Sequence, residues 1–164
     1  MTTPLLEGFS PVVNDAAELL ILGSFPSVQS LAIHQYYGNP RNAFWPITAD
    51  LFGFDASAPY ETRLAALQSA GIAVWDVLHK CRRAGSSDAK FDMKSLVAND
   101  FGQLFAASPL ITRVCFNGRA AERLYARLVH IDGAIEYELL PSTSPARAMP
   151  AGRKLQAWRV IAPS

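Results

Sequence analysis

Short unbroken apolar runs alternate along this chain with stretches whose apolar residues recur at helical spacing. Residues 18–22, Glu-Leu-Leu-Ile-Leu, lack the in-and-out alternation of a half-exposed strand, and such a run fills the interior of a parallel sheet. Residues 72–78, 110–116 and 135–140 read as further strands, the last stopped by Pro141. Between them, Phe44, Ile47 and Leu51 share one side of a helix predicted over 42–52, and Leu64 and Leu67 one side of a helix over 60–69 that Gly71 ends. Helices are also predicted over 94–106, 119–129 and 153–161, with 79–91 irregular and 141–150 a loop rich in Ser, Thr and Pro. This alternation implies an α/β fold: a three-layer α/β/α sandwich on a central four-stranded parallel sheet, its crossovers right-handed.

A sheet of that kind carries its functional loops at the strand carboxyl ends. Four unusual segments fall there: 23–42, 76–88, Asn117-Gly118 and 141–148. Phe25, Tyr36, Tyr37, Phe44 and Trp45 offer faces on which a planar heterocycle can stack. Asn39, Asn42 and Asn117 offer amides that both donate and accept, and so can read a base edge or hold a water. Each also has a plain structural reading. Phe44 and Trp45 can belong to the core as the first turn of a helix, Asn42 can cap that helix, Asn39 before Pro40 suits a turn, the two tyrosines can be half-buried packing, and Asn117-Gly118 can be a strand-to-helix turn.

Composition narrows the classes. Of the 164 residues 50% are hydrophobic and 18% charged, which excludes a disordered chain and suits one domain spanning residues 1–164. No apolar run approaches the roughly 18 residues needed to cross a bilayer, and no basic-then-apolar leader opens the chain, so a cytoplasmic protein is expected. Cys81 and Cys115 are too few for a disulfide framework, and His34, His79 and His130 lack a ligand spacing, so neither a metal nor another cofactor is expected. The segment GSFPS is not a GxSxG nucleophile turn, and no phosphate-loop or dinucleotide fingerprint occurs.

Net charge is only +1, but no acidic side chain follows Glu138, whereas Arg147, Arg153, Lys154 and Arg159 do. Lys80, Arg82 and Arg83 form a second basic group. Meeting in space, the two would present a positive surface to phosphates; apart, they are ordinary solvated charges.

The strand followed by GSFPS, then QYYGNPRNAFW, WDVL with CRRAGSSD, FNG before a helix, and the late PSTSPARA together resemble the uracil-DNA glycosylase superfamily. More narrowly they resemble its hypoxanthine-DNA (deoxyinosine) glycosylase branch, over nearly the whole chain from Leu19 to about Trp158. The resemblance implies a four-stranded parallel sheet between helices and an enzyme that flips a deaminated base from DNA and hydrolyses its bond to deoxyribose. By it, Gly23, Ser24, Phe25 and Pro26 belong to the first motif, where Ser24-Phe25 replaces the Asp or Asn of better-known members. Water positioning then passes to the amides of GNPRN, with Asn39 first and Asn42 second. Tyr37, Phe44 and Asn117 join the first motif around the base. Ser142, Thr143, Ser144, Pro145 and Arg147 of the late motif, with Arg82, Arg83 and Ser86, face the DNA.

The implied chemistry is dissociative. Positive charge develops on the sugar and negative charge on the base, so an amide that orients one water and N–H donors at the base suffice. Nothing in the motifs demands a lysine that attacks the sugar, so a monofunctional enzyme acting as a monomer is expected, with hypoxanthine preferred and uracil secondary. Two rivals come from other classes: a non-catalytic module that binds damaged DNA, and a small-molecule nucleoside or nucleotide hydrolase. Salt separates them, because duplex binding through phosphates weakens steeply with ionic strength and small-molecule hydrolysis does not.

Overall fold

The computed structural model describes residues 3–163. Seven strands occur among them: β1 (Leu5–Glu7), β2 (Leu19–Gly23), β3 (Ile72–Asp76), β4 (Leu78–Arg82), β5 (Val97–Ala98), β6 (Arg113–Asn117) and β7 (Glu136–Leu140). The α-helices are α1 (Val28–Ile33), α2 (Phe44–Phe52), α3 (Tyr60–Ser69), α4 (Phe101–Ala107), α5 (Arg119–Leu128) and α6 (Ala151–Trp158).

The central strand is the one whose sequence is apolar throughout. All five residues of β2 are buried, and parallel neighbours flank it in the order β3-β2-β6-β7. Successive side chains point to opposite faces, so one strand feeds two cores. Leu20 and Leu22 pack with Ala73, Trp75, Val114 and Phe116 under Phe101 and Leu104 of α4 and Leu124 and Tyr125 of α5. Leu19 and Ile21 pack with Ile72, Val74 and Cys115 under Phe44, Trp45 and Ile47 of α2, Leu67 of α3 and Trp158 of α6. The result is the expected sandwich of helices, four-stranded parallel sheet and helices.

The pattern misjudged the connections. A second, three-stranded sheet of order β1-β4-β5 is antiparallel: β1 lies before the first predicted element, most of β4 in the stretch read as irregular, and β5 in the stretch read as helical. The strand predicted over 72–78 breaks after Asp76, and the chain re-forms β4, which pairs with β1 at Leu5↔Arg82. The helix predicted over 94–106 is helical only from Phe101, where the Asp100 carboxylate accepts the Gln103 N–H at 3.0 Å. Residues 23–42 contain a short helix, α1, because the Ser27 hydroxyl accepts the Ser30 N–H at 3.1 Å and caps it.

Candidate active site

Parallel pairing sets the carboxyl ends of the four strands side by side. Gly23 lies opposite Asp76 and Asn117 opposite Leu140, so the four loops that follow surround one cleft of about 610 Å³. That volume suits a nucleotide-sized ligand.

Gly23 is there because nothing larger fits. A Cβ at this position would stand 2.5 Å from Asp76 Oδ1 and 3.3 Å from the Tyr37 hydroxyl. Asp76 itself is only 5% exposed, at the end of a strand that is otherwise Ile-Ala-Val-Trp, and its Oδ2 has no hydrogen-bond partner. Burial first, then the charge of Asp88, push its pKa up to about 7, against the opposing pull of Arg83. Beside it, the Tyr37 hydroxyl is also out of solvent's reach and without a partner. Burial raises the Tyr37 pKa, with the Asp76 charge second, against the opposing pull of the nearby Asn117 amide, so the phenol stays protonated and able to donate. The ring lies stacked on Phe44 with centroids 3.9 Å apart, and the backbone holds the left-handed φ of 54° that a bulky residue rarely adopts. The floor of the cleft thus carries an acceptor and a donor held unpaired, at a cost to the fold.

Asn39 and Asn42 both line the cleft. The Asn39 side-chain oxygen accepts the Arg41 N–H at 3.0 Å, and that of Asn42 accepts the Phe44 N–H at 2.9 Å at the start of α2. Asn42 is not the N-cap that the sequence allowed: that position falls to Ala43, and Asn42 stands one residue before it, its oxygen taking the first N–H of the helix.

The late loop is fastened from three sides. Thr143 N–H donates to the Asn117 oxygen at 2.9 Å while the Asn117 amide donates to Thr143 Oγ1 at 2.9 Å, so Asn117 spends both ends of its amide on the loop. Ala43 N–H donates to the Thr143 carbonyl at 2.9 Å, and Trp158 Nε1 donates to that of Pro141 at 2.9 Å. Ser142, Thr143, Ser144 and Pro145 line the cleft as expected of that segment. Gly118, at φ 99°, permits this approach, since a Cβ there would come 2.9 Å from Ser142 Cβ. Gly118→Ala should therefore destabilise the protein by about 1–3 kcal/mol in chemical denaturation; an unchanged midpoint would show that the loop yields.

The structure corrects several expected contacts. Phe44 is fully buried and does not line the cleft; it supports Tyr37 from behind because its own ring completes the core under α2. Arg83 is 3% exposed: its guanidinium donates to the Pro26 carbonyl at 2.7 Å and the Gly85 carbonyl at 2.6 Å and lies over the rings of Phe25 and Phe91, so it is not free to meet a phosphate. Arg82 sits on β4, away from the cleft, and donates to the Thr3 carbonyl. Lys154, counted with the basic tail, is 4% exposed and donates to the Ser144 carbonyl at 3.0 Å. Arg147 is exposed beside the cleft-lining Ala146, and Ser86, Gly23, Ser24, Phe25 and Pro26 all line the cleft.

Asp76 and Asp88 are the residues that sequence reasoning passed over. Asp76 stood in the WDVL segment and Asp88 closed CRRAGSSD, but neither was given a role. Cysteine chemistry is not offered here: burial pushes the thiols of Cys81 and Cys115 up to about 11. Among the described residues no group of three His, Cys, Asp or Glu could hold a metal ion, and no helix is long and apolar enough to cross a membrane.

The α/β/α sandwich thus opens a cleft at its strand carboxyl ends, with unpaired polar atoms of Asp76 and Tyr37 at its floor. Residues 10–162 match the model of the uracil DNA glycosylase superfamily, and the chain belongs to that superfamily. It is 36% identical over 155 residues to a hypoxanthine DNA glycosylase of Methanosarcina acetivorans, covering 94% of this chain and 96% of the relative. A hypoxanthine DNA glycosylase of Methanosarcina barkeri is 35% identical, covering 93% of this chain and 94% of that one. A solution NMR structure of a Methanosarcina acetivorans protein described as a candidate uracil DNA glycosylase superposes with a TM-score of 0.77 at 34% identity, covering 96% of this chain and 99% of that one.

Proposed function

We propose that this protein is a monofunctional DNA glycosylase that flips a deaminated base into the cleft and hydrolyses its N-glycosidic bond, with hypoxanthine the preferred base and uracil secondary. The unpaired Asp76 carboxyl and Tyr37 hydroxyl on the cleft floor carry this reading. Hypoxanthine presents N1–H beside O6, and uracil presents N3–H beside O4: a donor next to an acceptor. An ionised Asp76 accepts the N–H and Tyr37 donates to the carbonyl oxygen. Adenine and cytosine, the parents of these bases, present the reverse pattern, which would set the carboxylate against a ring-nitrogen lone pair; guanine and thymine share the deaminated pattern, so this pair of groups separates a deaminated base from its parent alone. The hypoxanthine DNA glycosylases among the relatives support the choice of purine.

Flipping costs a few kcal/mol of stacking and pairing, least for a damaged or mispaired base. The rim loops support the extruded nucleotide, with Ser142, Ser144 and the exposed Arg147 nearest the DNA. An amide of the 39–42 segment orients the attacking water, and the sugar cation makes an unactivated water a sufficient nucleophile.

The test is single-turnover base release from duplexes holding one deoxyinosine or one deoxyuridine. Inosine should be cleaved faster, leaving an abasic site without strand cleavage by the protein. No release from duplex or single strands would sink the reading.

A further inference from the structure

Depth sorts the groups of the cleft. Asp76 and the Tyr37 hydroxyl lie at the floor, out of solvent's reach, whereas Ser24, Asn39 and Ser142 are half-buried and Asp88 is exposed at the rim. A nucleotide that enters base first leaves its deoxyribose at that rim. Two carboxyl groups line the cleft, and Asp88 is the exposed one.

Its placement is built. Asp88 Oδ1 accepts the Ser24 hydroxyl at 2.7 Å across 64 positions of sequence. The segment that carries it is fastened over the first loop, because Val28 N–H donates to Ser86 Oγ at 2.9 Å. Arg83 completes the clasp by donating to the Pro26 carbonyl at 2.7 Å on one side and the Gly85 carbonyl at 2.6 Å on the other. An otherwise exposed run of Ala, Gly and Ser is thereby held so that one carboxylate stays at the cleft.

We propose that Asp88 is a catalytic residue whose negative charge stands against the deoxyribose and stabilises the cation formed there. The proposal rests on the base-excision reading above. The C1′–N bond breaks with its electron pair leaving on the base. Water then adds to C1′, and the proton it loses passes to the departed base. Asp88 is unchanged throughout; it lowers the energy of the positive sugar between these events.

The same charge opposes DNA in the ground state, since it sits where phosphates approach. A group that disfavours bound substrate and favours the transition state raises turnover at the expense of affinity. Removal of its charge therefore has effects of opposite sign on the two, which a role in loop packing alone would not produce.

Asp88→Asn keeps the side chain's size and an oxygen that can accept from Ser24. At pH 8, where Asp76 is largely ionised with or without the Asp88 charge, single-turnover release of hypoxanthine at saturating enzyme should fall by about 10- to 100-fold, less than for an enclosed group because the rim is open to solvent. Affinity for the same duplex, measured with a 2′-fluorinated deoxyinosine that resists cleavage, should hold or tighten, and the melting temperature should not fall, since the charge removed also repels Asp76. Asp88→Ala, which also loses the bond to Ser24, should fall at least as far in release. Release by Asp88→Asn within twofold of wild type would overturn the proposal. So would a parallel loss of release, affinity and melting temperature, which would assign Asp88 to holding the loop. A wild type that releases no base in this assay would fail the base-excision reading itself.

Discussion

Asp76→Asn should make the protein more stable above pH 7 and poorer at releasing hypoxanthine. The folded state holds the Asp76 carboxyl up at about 7 from an ordinary 3.8, first because burial disfavours its charge and then because Asp88 repels it. Between pH 4 and pH 7 the native state keeps a proton that the unfolded chain has lost. Stability therefore falls as pH rises through this window and is flat beyond it, the total amounting to at most about 4 kcal/mol. Asparagine fills the same space without titrating. The variant and the wild type should share a denaturation midpoint near pH 4 and diverge in the variant's favour by pH 8. Parallel stability curves would show that Asp76 does not titrate in this window.

Release should move the other way. If the ionised carboxylate receives the N1–H of the base, wild-type release of hypoxanthine should rise with pH through about 7. In the asparagine variant it should be about 10- to 100-fold lower at pH 8 and flat with pH. A wild-type rate that falls across the same range would mean that the neutral acid is the working form, donating to the base, and would overturn the acceptor role given to Asp76.

That a carboxyl so placed escaped sequence reading has a physical cause. Strand β3 reads Ile-Ala-Val-Trp-Asp, and the four apolar residues announced a buried strand correctly; the pattern said nothing of whether the fifth would reach solvent. Its burial comes from Gly23 on the adjacent strand and Tyr37 from a distant loop, which only the fold brings together. The parallel sheet was legible because β2, β3 and β6 are apolar where they cross the core. Strand β5 was not, because two residues carry no period, and β4 mixes buried Leu78 and Cys81 with polar neighbours. Arg83 shows the same limit for charge. Its sign suggested a phosphate, but the Pro26 and Gly85 carbonyls and the ring of Phe25 had already claimed it.

The two amides of GNPRN, ranked Asn39 before Asn42 from the sequence, should separate on substitution. Asn42→Ala removes the acceptor for the Phe44 N–H at the start of α2, so its main cost should be about 1 kcal/mol of stability. Base release should fall by less than about tenfold. Asn39 makes the same bond to the N–H two residues on, but in an exposed turn and not at the start of a helix. Its oxygen takes the Arg41 N–H in a local turn, which fixes the side chain at the rim while one lone pair and the amino group remain for a water. Loss of that water's orientation removes a contribution made at the reacting carbon, so Asn39→Ala should slow single-turnover release by about 10² to 10³. Duplex affinity and melting temperature should change little. The reverse ranking, with Asn42→Ala the slower enzyme, would move the water to the helix end and leave Asn39 a turn residue. Equal and modest losses in both would mean that neither amide alone holds the water, and that the sugar cation captures it with little help from this loop.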